Sequence, residues 1–287
     1  MKKMVNFKER ELIKWQVVEM LRRGVKRIEL QNEKGQFDEE SCLKFAVCSG
    51  GCEMAAVGDV VSKISEQYQK AGVEVVAYWE ESFPKLLKEI PDPPVLLFCK
   101  GDWKLLNKLQ ITNNKLQIGA LVAVVGSREM SNRGRRAVRK IVPKLTEEGF
   151  GVVSGLAIGT DSFVHETCLF VGGRTVAVLP SPLDMIYPRR NQGLAKKIIE
   201  AGGCLVSEYP RGVAVERKNF LERNRVVAGL CERVIVTEAS KYSGSISTPN
   251  FALDQGRDVW CYPARKGEVN SEGILALIED GAGEIRI

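Results

Sequence analysis

The chain has 287 residues, 44% hydrophobic and 27% charged, with a formal net charge of +6. Such a composition is ordinary for a soluble globular protein of one large or two modest domains, at roughly 150 residues per domain. No apolar run approaches the roughly 18 residues of a membrane-spanning helix. Met1-Lys2-Lys3-Met4 leads into charged residues rather than an apolar core, so no signal peptide is expected and the location is read as cytoplasmic.

From the N-terminus, Phe7 to Arg23 has an amphipathic helical pattern, with Leu12, Ile13, Val17, Val18 and Leu21 near one face. A short helix is expected over Ser41 to Val47, broken by Gly50-Gly51, and a third over Ala56 to Ala71, with Val57, Val60, Val61 and Ile64 on one side. Residues 1–75 are therefore predicted to form a small helical domain, and 76–120 a connecting segment. In that segment Pro84, Pro91, Pro93 and Pro94 mark irregular chain around one short strand, Val95 to Phe98. Trp103 to Gly119, with Asn113-Asn114, looks like a linker or an inserted hairpin.

From Leu121 the texture changes to alternating strands and helices. Strands are expected at Leu121–Val125, Gly151–Ser154, Thr175–Leu179, Cys204–Ser207, Val234–Thr237 and Val259–Tyr262. Helices are expected at Asn132–Glu148, Asp161–Val171, Gln192–Ala201, Phe220–Leu230, Ser247–Gln255 and Gly273–Asp280. Continuously apolar strands separated by helices predict an α/β fold, a Rossmann-like doubly wound and mostly parallel sheet over 121–287. The eight cysteines are irregularly spaced and mostly in apolar runs; only Cys48 and Cys52 are close, and no second ligand pair supports a zinc site. Reduced, buried thiols are expected.

In an open parallel sheet, ligands bind beyond the carboxyl ends of the strands, so the loops there carry the chemistry. The first is Gly126-Ser127-Arg128, where the backbone can approach a ligand and a hydroxyl and a guanidinium can grip phosphate. The following helix is expected to aim its positive end into the same space. The second loop, Ser154 to Asp161, is built of small residues, with Asp161 a candidate cap. A tight turn needs glycine whether or not anything binds. After Thr237 come Ser243, Gly244, Ser245 and Thr248, more donors at one helix start than a capping turn requires, and so an anion cradle by composition.

Charge is concentrated as well. Between Arg128 and Lys144 seven basic side chains face the single Glu129, which suits a polyanion partner or a solvated surface. Arg217 to Arg225 mixes cations with Phe220, a pattern that suits phosphate contact and base stacking by single-stranded nucleic acid. Arg223 and Arg225 point to different helix faces, so at most one faces the site. His165, the only histidine, stands one turn after Asp161; the two could touch, in a structural hydrogen bond rather than an acid–base pair.

These loops, in this order, resemble the DNA-processing protein A (DprA, or Smf) family. The likeness runs from Tyr78 to Ile287. It includes Trp79 to Leu87, Asp92 to Gly101, Gly126-Ser127-Arg128, Ser154 to Asp161 with His165, Leu183-Asp184 with Tyr187-Pro188, Ser207 to Pro210, Arg223-Asn224-Arg225, Glu238-Ala239 and Ser243-Gly244-Ser245. The resemblance implies a protein without enzymatic turnover and without a cofactor. It would bind single-stranded DNA, protect it, and load the RecA recombinase during natural transformation and recombination in competent cells, as a homodimer formed through the Rossmann-like domain. It implies that Ser127 and Arg128 hold phosphate. Gly155, Gly159, Ser243, Gly244, Ser245 and Thr248 would line the pocket, and Lys218, Phe220, Arg223 and Asn224 would form its basic and stacking rim. The helical domain looks like the sterile-alpha-motif-like (SAM-like) domain common in that family.

Three departures stand beside the likeness. Leu179-Pro180-Ser181-Pro182 replaces a glycine-bearing loop, and two prolines remove amide donors there. Pro263-Ala264 stands where members often have Pro-Gly. Many members continue into a winged-helix domain, whereas this sequence ends at Ile287. Two other functions fit the same texture. A nucleotide-processing enzyme of the phosphoribohydrolase type would use the phosphate cradle with Glu208 or Glu238 at the sugar. A protein-interaction scaffold would retain only a vestigial pocket.

Overall fold

A computed structural model describes residues 7–22, 30, 63–107, 110–112, 115–117, 120–241 and 243–286. Of the expected N-terminal helices, α1 (Phe7–Arg22) is present and residues 63–70 are helical; the helix expected over Ser41 to Val47 lies outside the described residues.

The central sheet grows from runs with no polar side to offer water. Strand β5 (Leu121–Val125) is buried along its whole length. It pairs in parallel with β6 (Gly151–Ser154), followed outward by β7 (Thr175–Val178) and β8 (Cys204–Ser207). On its other side lie β9 (Arg233–Val236), β10 (Asp258–Cys261) and the two-residue β11 (Gly283–Glu284). Alternate residues of β5 feed opposite cores. Leu121, Ala123 and Val125 meet the face covered by α5 (Arg217–Gly229), α6 (Ser247–Asp254) and α7 (Glu272–Glu279), whereas Val122 and Val124 meet α2 (Asn132–Glu147) and α3 (Thr160–Phe170). Helix α4 (Gln192–Glu200) covers β7 and β8 on the α2–α3 side. Two covered faces explain why the strands are apolar without alternation. The chain passes from β8 back across the sheet to β9, so strand order reverses between β5 and β9.

The sheet does not begin at residue 121. Strand β2 (Leu96–Gly101) pairs antiparallel with β8, and β1 (Val73–Ala77) pairs antiparallel with β2, giving nine strands among the described residues. Strand β2 corresponds to the short strand expected in the connecting segment, and β1 straddles the boundary expected at residue 75; both join the same sheet. The remaining part of that segment forms a separate hairpin, β3 (Gln110–Thr112) with β4 (Lys115–Gln117). The N-terminal helices share this core too. Ile13, Trp15, Val17 and Val18 of α1, with Ile64 and Tyr68, pack in one cluster with Val75, Phe98 and Leu205. Val17 and Val18 are fully buried, and each such side chain contributes roughly 1.5–3 kcal/mol. The Tyr68 hydroxyl accepts from the Arg211 amide at 2.7 Å, tying the helical residues to the turn after β8.

Five cysteines fall within the described residues, Cys99, Cys168, Cys204, Cys231 and Cys261, each a buried free thiol. Burial pushes Cys168 up to about 11 and Cys261 to about 12, which keeps both as unreactive thiols. No helix among the described residues is long and apolar enough to cross a membrane.

Arg225, 4% exposed, joins the proline-rich segment to the sheet. Its Nη2 donates to Glu208 at 2.5 Å and its Nε to Asp92 at 3.1 Å. Removing one partner of a buried pair strands the other charge. Arg225→Met is therefore expected to lower unfolding free energy in urea by about 3–5 kcal/mol, and Arg225→Met/Glu208→Gln by less than the two single losses together. Additive losses would mean that the pair is not coupled.

Candidate nucleic-acid interface

At the reversal point the loops after β5 and β9 part and leave a cleft of about 380 Å³. Its lining comes from five places: Gly126–Glu129 after β5, Gly155, Ala157 and Asp161 around the start of α3, Phe220, Arg223 and Asn224 of α5, Ser240 with Ser243–Ser245 and Thr248 at the start of α6, and Asn270. Such a crevice is where ligands of open α/β sheets bind.

Each wall has a local cause. The Ser127 carbonyl accepts from the Thr160 amide at 3.0 Å, so the first two loops are tied together. That approach requires Gly159: its φ is +80°, and a Cβ there would collide with the Arg128 carbonyl. Leu156 also adopts a left-handed conformation (φ 56°), held by the Asn191 amide donating to its carbonyl at 2.8 Å. Ser127 Oγ accepts from the Glu129 amide at 3.1 Å, which leaves its proton free to donate into the cleft. On the far wall, Ser243 and Ser245 share a hydroxyl–hydroxyl bond of 2.5 Å, and Asn224 donates to Ser247 Oγ at 2.7 Å. The amides of Gly244 and Ser245 open a helical turn, where the first donors have no carbonyl behind them.

Arg223 forms the floor. It is 4% exposed; Nη1 donates to the carbonyls of Gly155 and Val178, and Nε to Asn224 Oδ1 at 3.1 Å. Burial pulls its pKa down to about 10, against the attraction of Asp161, so the guanidinium stays charged at neutral pH. Burial pushes the Asp161 carboxyl up, opposed by Arg223 and by the Ala157 amide, which donates to it at 3.3 Å. Arg128 is exposed at the mouth, its Cζ 5.7 Å from the Phe220 ring centroid, a cation–π contact.

Of the twelve residues expected at the site, ten line this cleft: Ser127, Arg128, Gly155, Phe220, Arg223, Asn224, Ser243, Gly244, Ser245 and Thr248. Gly159 stands behind it, giving room to the Arg128 backbone. Lys218 is outside it, exposed and paired with Glu216 at 2.8 Å. Arg223 belongs to the floor rather than the rim, because its donors are engaged by backbone carbonyls. Arg225 faces the other way, as the helix geometry predicts.

The start of α2 is a further correction. Ser131 caps it, and both the Ser131 amide (2.9 Å) and its hydroxyl donate to the buried Glu238 carboxylate, so that positive end is occupied. Asp161 is not the cap of α3, which is Gly159. The proline loop after β7 is absent from the lining; Pro180 accepts from the Asn219 side chain at 3.2 Å. Asn270 was invisible in the sequence: from a loop more than a hundred residues away it donates to the Glu129 carbonyl at 3.0 Å and closes one side of the cleft. A larger groove of about 550 Å³ lies between α2 and β10 at the amino end of the strands. Ile141, Ile235 and Trp260 line it together with Lys144, Arg233 and Arg286, but Glu148 and Glu284 share the same walls, and it lies away from the carboxyl ends of the strands where ligands of open α/β sheets bind.

The fold and this cleft define an extended Rossmann-like α/β protein with a preformed, donor-lined crevice at its topological switch point. The family described as DNA recombination-mediator protein A matches residues 74–286, and the chain belongs to that family. It is 40% identical over 217 residues to protein Smf of Synechocystis and 38% identical over 219 residues to DNA processing protein DprA of Streptococcus pneumoniae. These alignments cover 76% of this chain in both cases, but 52% of the first relative and 72% of the second, so the chain spans only about half the length of the Synechocystis protein. The crystal structure of the S. pneumoniae protein superposes with a TM-score of 0.69 at 32% identity, covering 99% of this chain and 95% of the other. DNA processing protein A of Helicobacter pylori, whose structure addresses its single-stranded DNA binding mode, gives 0.64 at 30% identity over 75% of this chain and 91% of that one.

His165, expected beside Asp161, bonds elsewhere: its Nδ1 lies 2.7 Å from Thr175 Oγ1. The Thr175 hydroxyl proton goes to the Val152 carbonyl at 2.8 Å, so Nδ1 is the donor and Nε2 is left as a bare, buried acceptor. Protonating Nε2 would put an unpaired N–H and a charge in the core; burial, helped by Arg223, pulls the pKa from 6.5 to about 3. The unfolded chain takes up a proton that the folded chain refuses. Stability is therefore complete above pH 6.5 and is lost as pH falls from 6.5 toward 3. Urea titrations between pH 7 and 4 should give a loss of about 1.4 kcal/mol per pH unit below the unfolded pKa, missing from His165→Gln. An equal acid slope in the variant would contradict this assignment.

Proposed function

We propose that this protein is a cytoplasmic, homodimeric single-stranded DNA-binding protein that protects incoming DNA and delivers it to RecA in natural transformation and recombination. The observation that carries the reading is the cleft itself. Ser127, Arg128, Gly244 and Ser245 line one cleft of about 380 Å³, with the Phe220 ring among its walls and the Arg128 guanidinium over that ring. Phosphate donors beside an aromatic ring are the pattern of sequence-tolerant single-strand binding. Membership of the recombination-mediator family and the single-stranded DNA binding of the H. pylori relative support the same reading, and family resemblance supplies the RecA and dimer parts of it.

Binding without turnover fits the carboxylates better than sugar cleavage does. Glu208 is paired with Arg225, and Glu238 caps α2 through Ser131, so neither glutamate considered for a phosphoribohydrolase lies in the cleft lining.

Anisotropy titrations with oligothymidine over a range of salt test the proposal. Wild-type affinity should fall steeply with salt. Arg128→Ala should weaken binding roughly 10-fold or more, by the same factor on mixed sequences, and reduce the log–log salt slope by about 0.7. No complex at low salt, or release of base from nucleoside monophosphates with turnover, would overturn it.

A further inference from the structure

The geometry points to Tyr187 as a second base platform, carrying the strand out of the cleft past Phe220. The inference rests on the DNA-binding reading above and extends it to a residue outside the cleft lining. Two rings stand in sequence at the mouth. Phe220 is partly buried, with the Arg128 guanidinium over it at 5.7 Å. Tyr187 follows, its centroid 5.0 Å from that of Phe220 and its plane turned by 79°. A guanidinium over Phe220 competes with a base for that ring, so Phe220 and Arg128 act together as a cation–π corner. Tyr187 is 48% exposed, which a core packing role does not account for. A large ring held half in solvent by one edge contact is a surface on which a base can stack.

The surroundings suit a polyanion. Arg189 and Arg190 directly follow Tyr187-Pro188, are both exposed and have no carboxylate partner among the described residues. Two acidic side chains of the flanking segments are engaged elsewhere: Asp184 pairs with Arg211 at 2.7 Å, and Glu222 accepts from the Tyr209 hydroxyl at 3.1 Å. Arg128, Phe220, Tyr187 and then Arg189–Arg190 thus alternate cation, ring, ring and cation. This also gives a role to the loop after β7. Its prolines remove amide donors for phosphate, and the same loop presents a ring for a base.

Stacking and phosphate contact separate when the bases are removed from the ligand. The test uses the full chain with two probes of equal length, oligothymidine and an abasic phosphodiester chain. Tyr187→Ala should weaken oligothymidine binding on the order of 10-fold, and Tyr187→Phe by less than about 2-fold. On the abasic chain Tyr187→Ala should match wild type, whereas Arg128→Ala should weaken both probes. Unchanged oligothymidine binding by Tyr187→Ala, or an equal loss on both probes, would overturn the inference while leaving the DNA-binding reading intact. Failure of the wild type to bind either probe would overturn the DNA-binding reading itself. If Tyr187→Ala lowers the melting temperature, Tyr187→Trp replaces it. Quenching of its emission by oligothymidine and not by the abasic chain supports the platform, and no quenching by either overturns it.

Discussion

A guanidinium taken out of water destabilises a fold unless its donors find acceptors. Arg223 is buried beneath the loops it serves, bonded to the carbonyls at the ends of β6 and β7 and to Asn224 on its own helix, with Asp161 balancing its charge. These bonds fix the ends of two strands against α5 at the place where the sheet reverses its order. Gly155 is glycine because a Cβ would occupy the space of this guanidinium. The cleft above Arg223 is therefore formed before any ligand arrives, and the groups proposed to hold phosphate do not have to be gathered at the moment of binding.

With the floor fixed, the two walls are free to specialise. The β5 side offers the proton of Ser127 and the exposed charge of Arg128. The α6 side offers hydroxyls and the first amides of a helical turn. The other strong charges near the switch point are withdrawn from the ligand: Glu238 is bound to Ser131, Glu208 to Arg225, and Lys218 to Glu216. What remains at the mouth is the exposed guanidinium of Arg128 and the Phe220 ring beside the carboxylate of Glu129, a surface that suits the proposed single-stranded ligand.

Most of the sheet is legible because its longer parallel strands centre on short apolar runs, with polar or charged residues such as Arg233 and Asp258 only at their ends, and the observed limits differ from the expected ones by a residue or so. The antiparallel edge was not. Val73–Ala77 carries Glu74 and sits beside a helical pattern, and its strand character depends on pairing with β2, which no local period records. Nor is β11 long enough, at two residues, to have a period. The shared core of α1 with β1 and β2 is likewise a tertiary fact. Within the cleft, residues tied to glycine turns and serine clusters could be read from their neighbours. Asn270 could not, because its position depends on a loop folding back across the sheet, and the difference between Arg223 as floor and as rim depended on which carbonyls lie beneath it.

Under the proposed function, a phosphate of single-stranded DNA sits in the cleft above Arg223. The most direct measurement is the crystal structure of this chain with a short oligothymidine. It should place one phosphate within hydrogen-bonding distance of Ser127 Oγ and the Gly244–Ser245 amides, with Arg128 alongside. A strand seated instead in the groove between α2 and β10, with the switch-point cleft left to water, would contradict that placement.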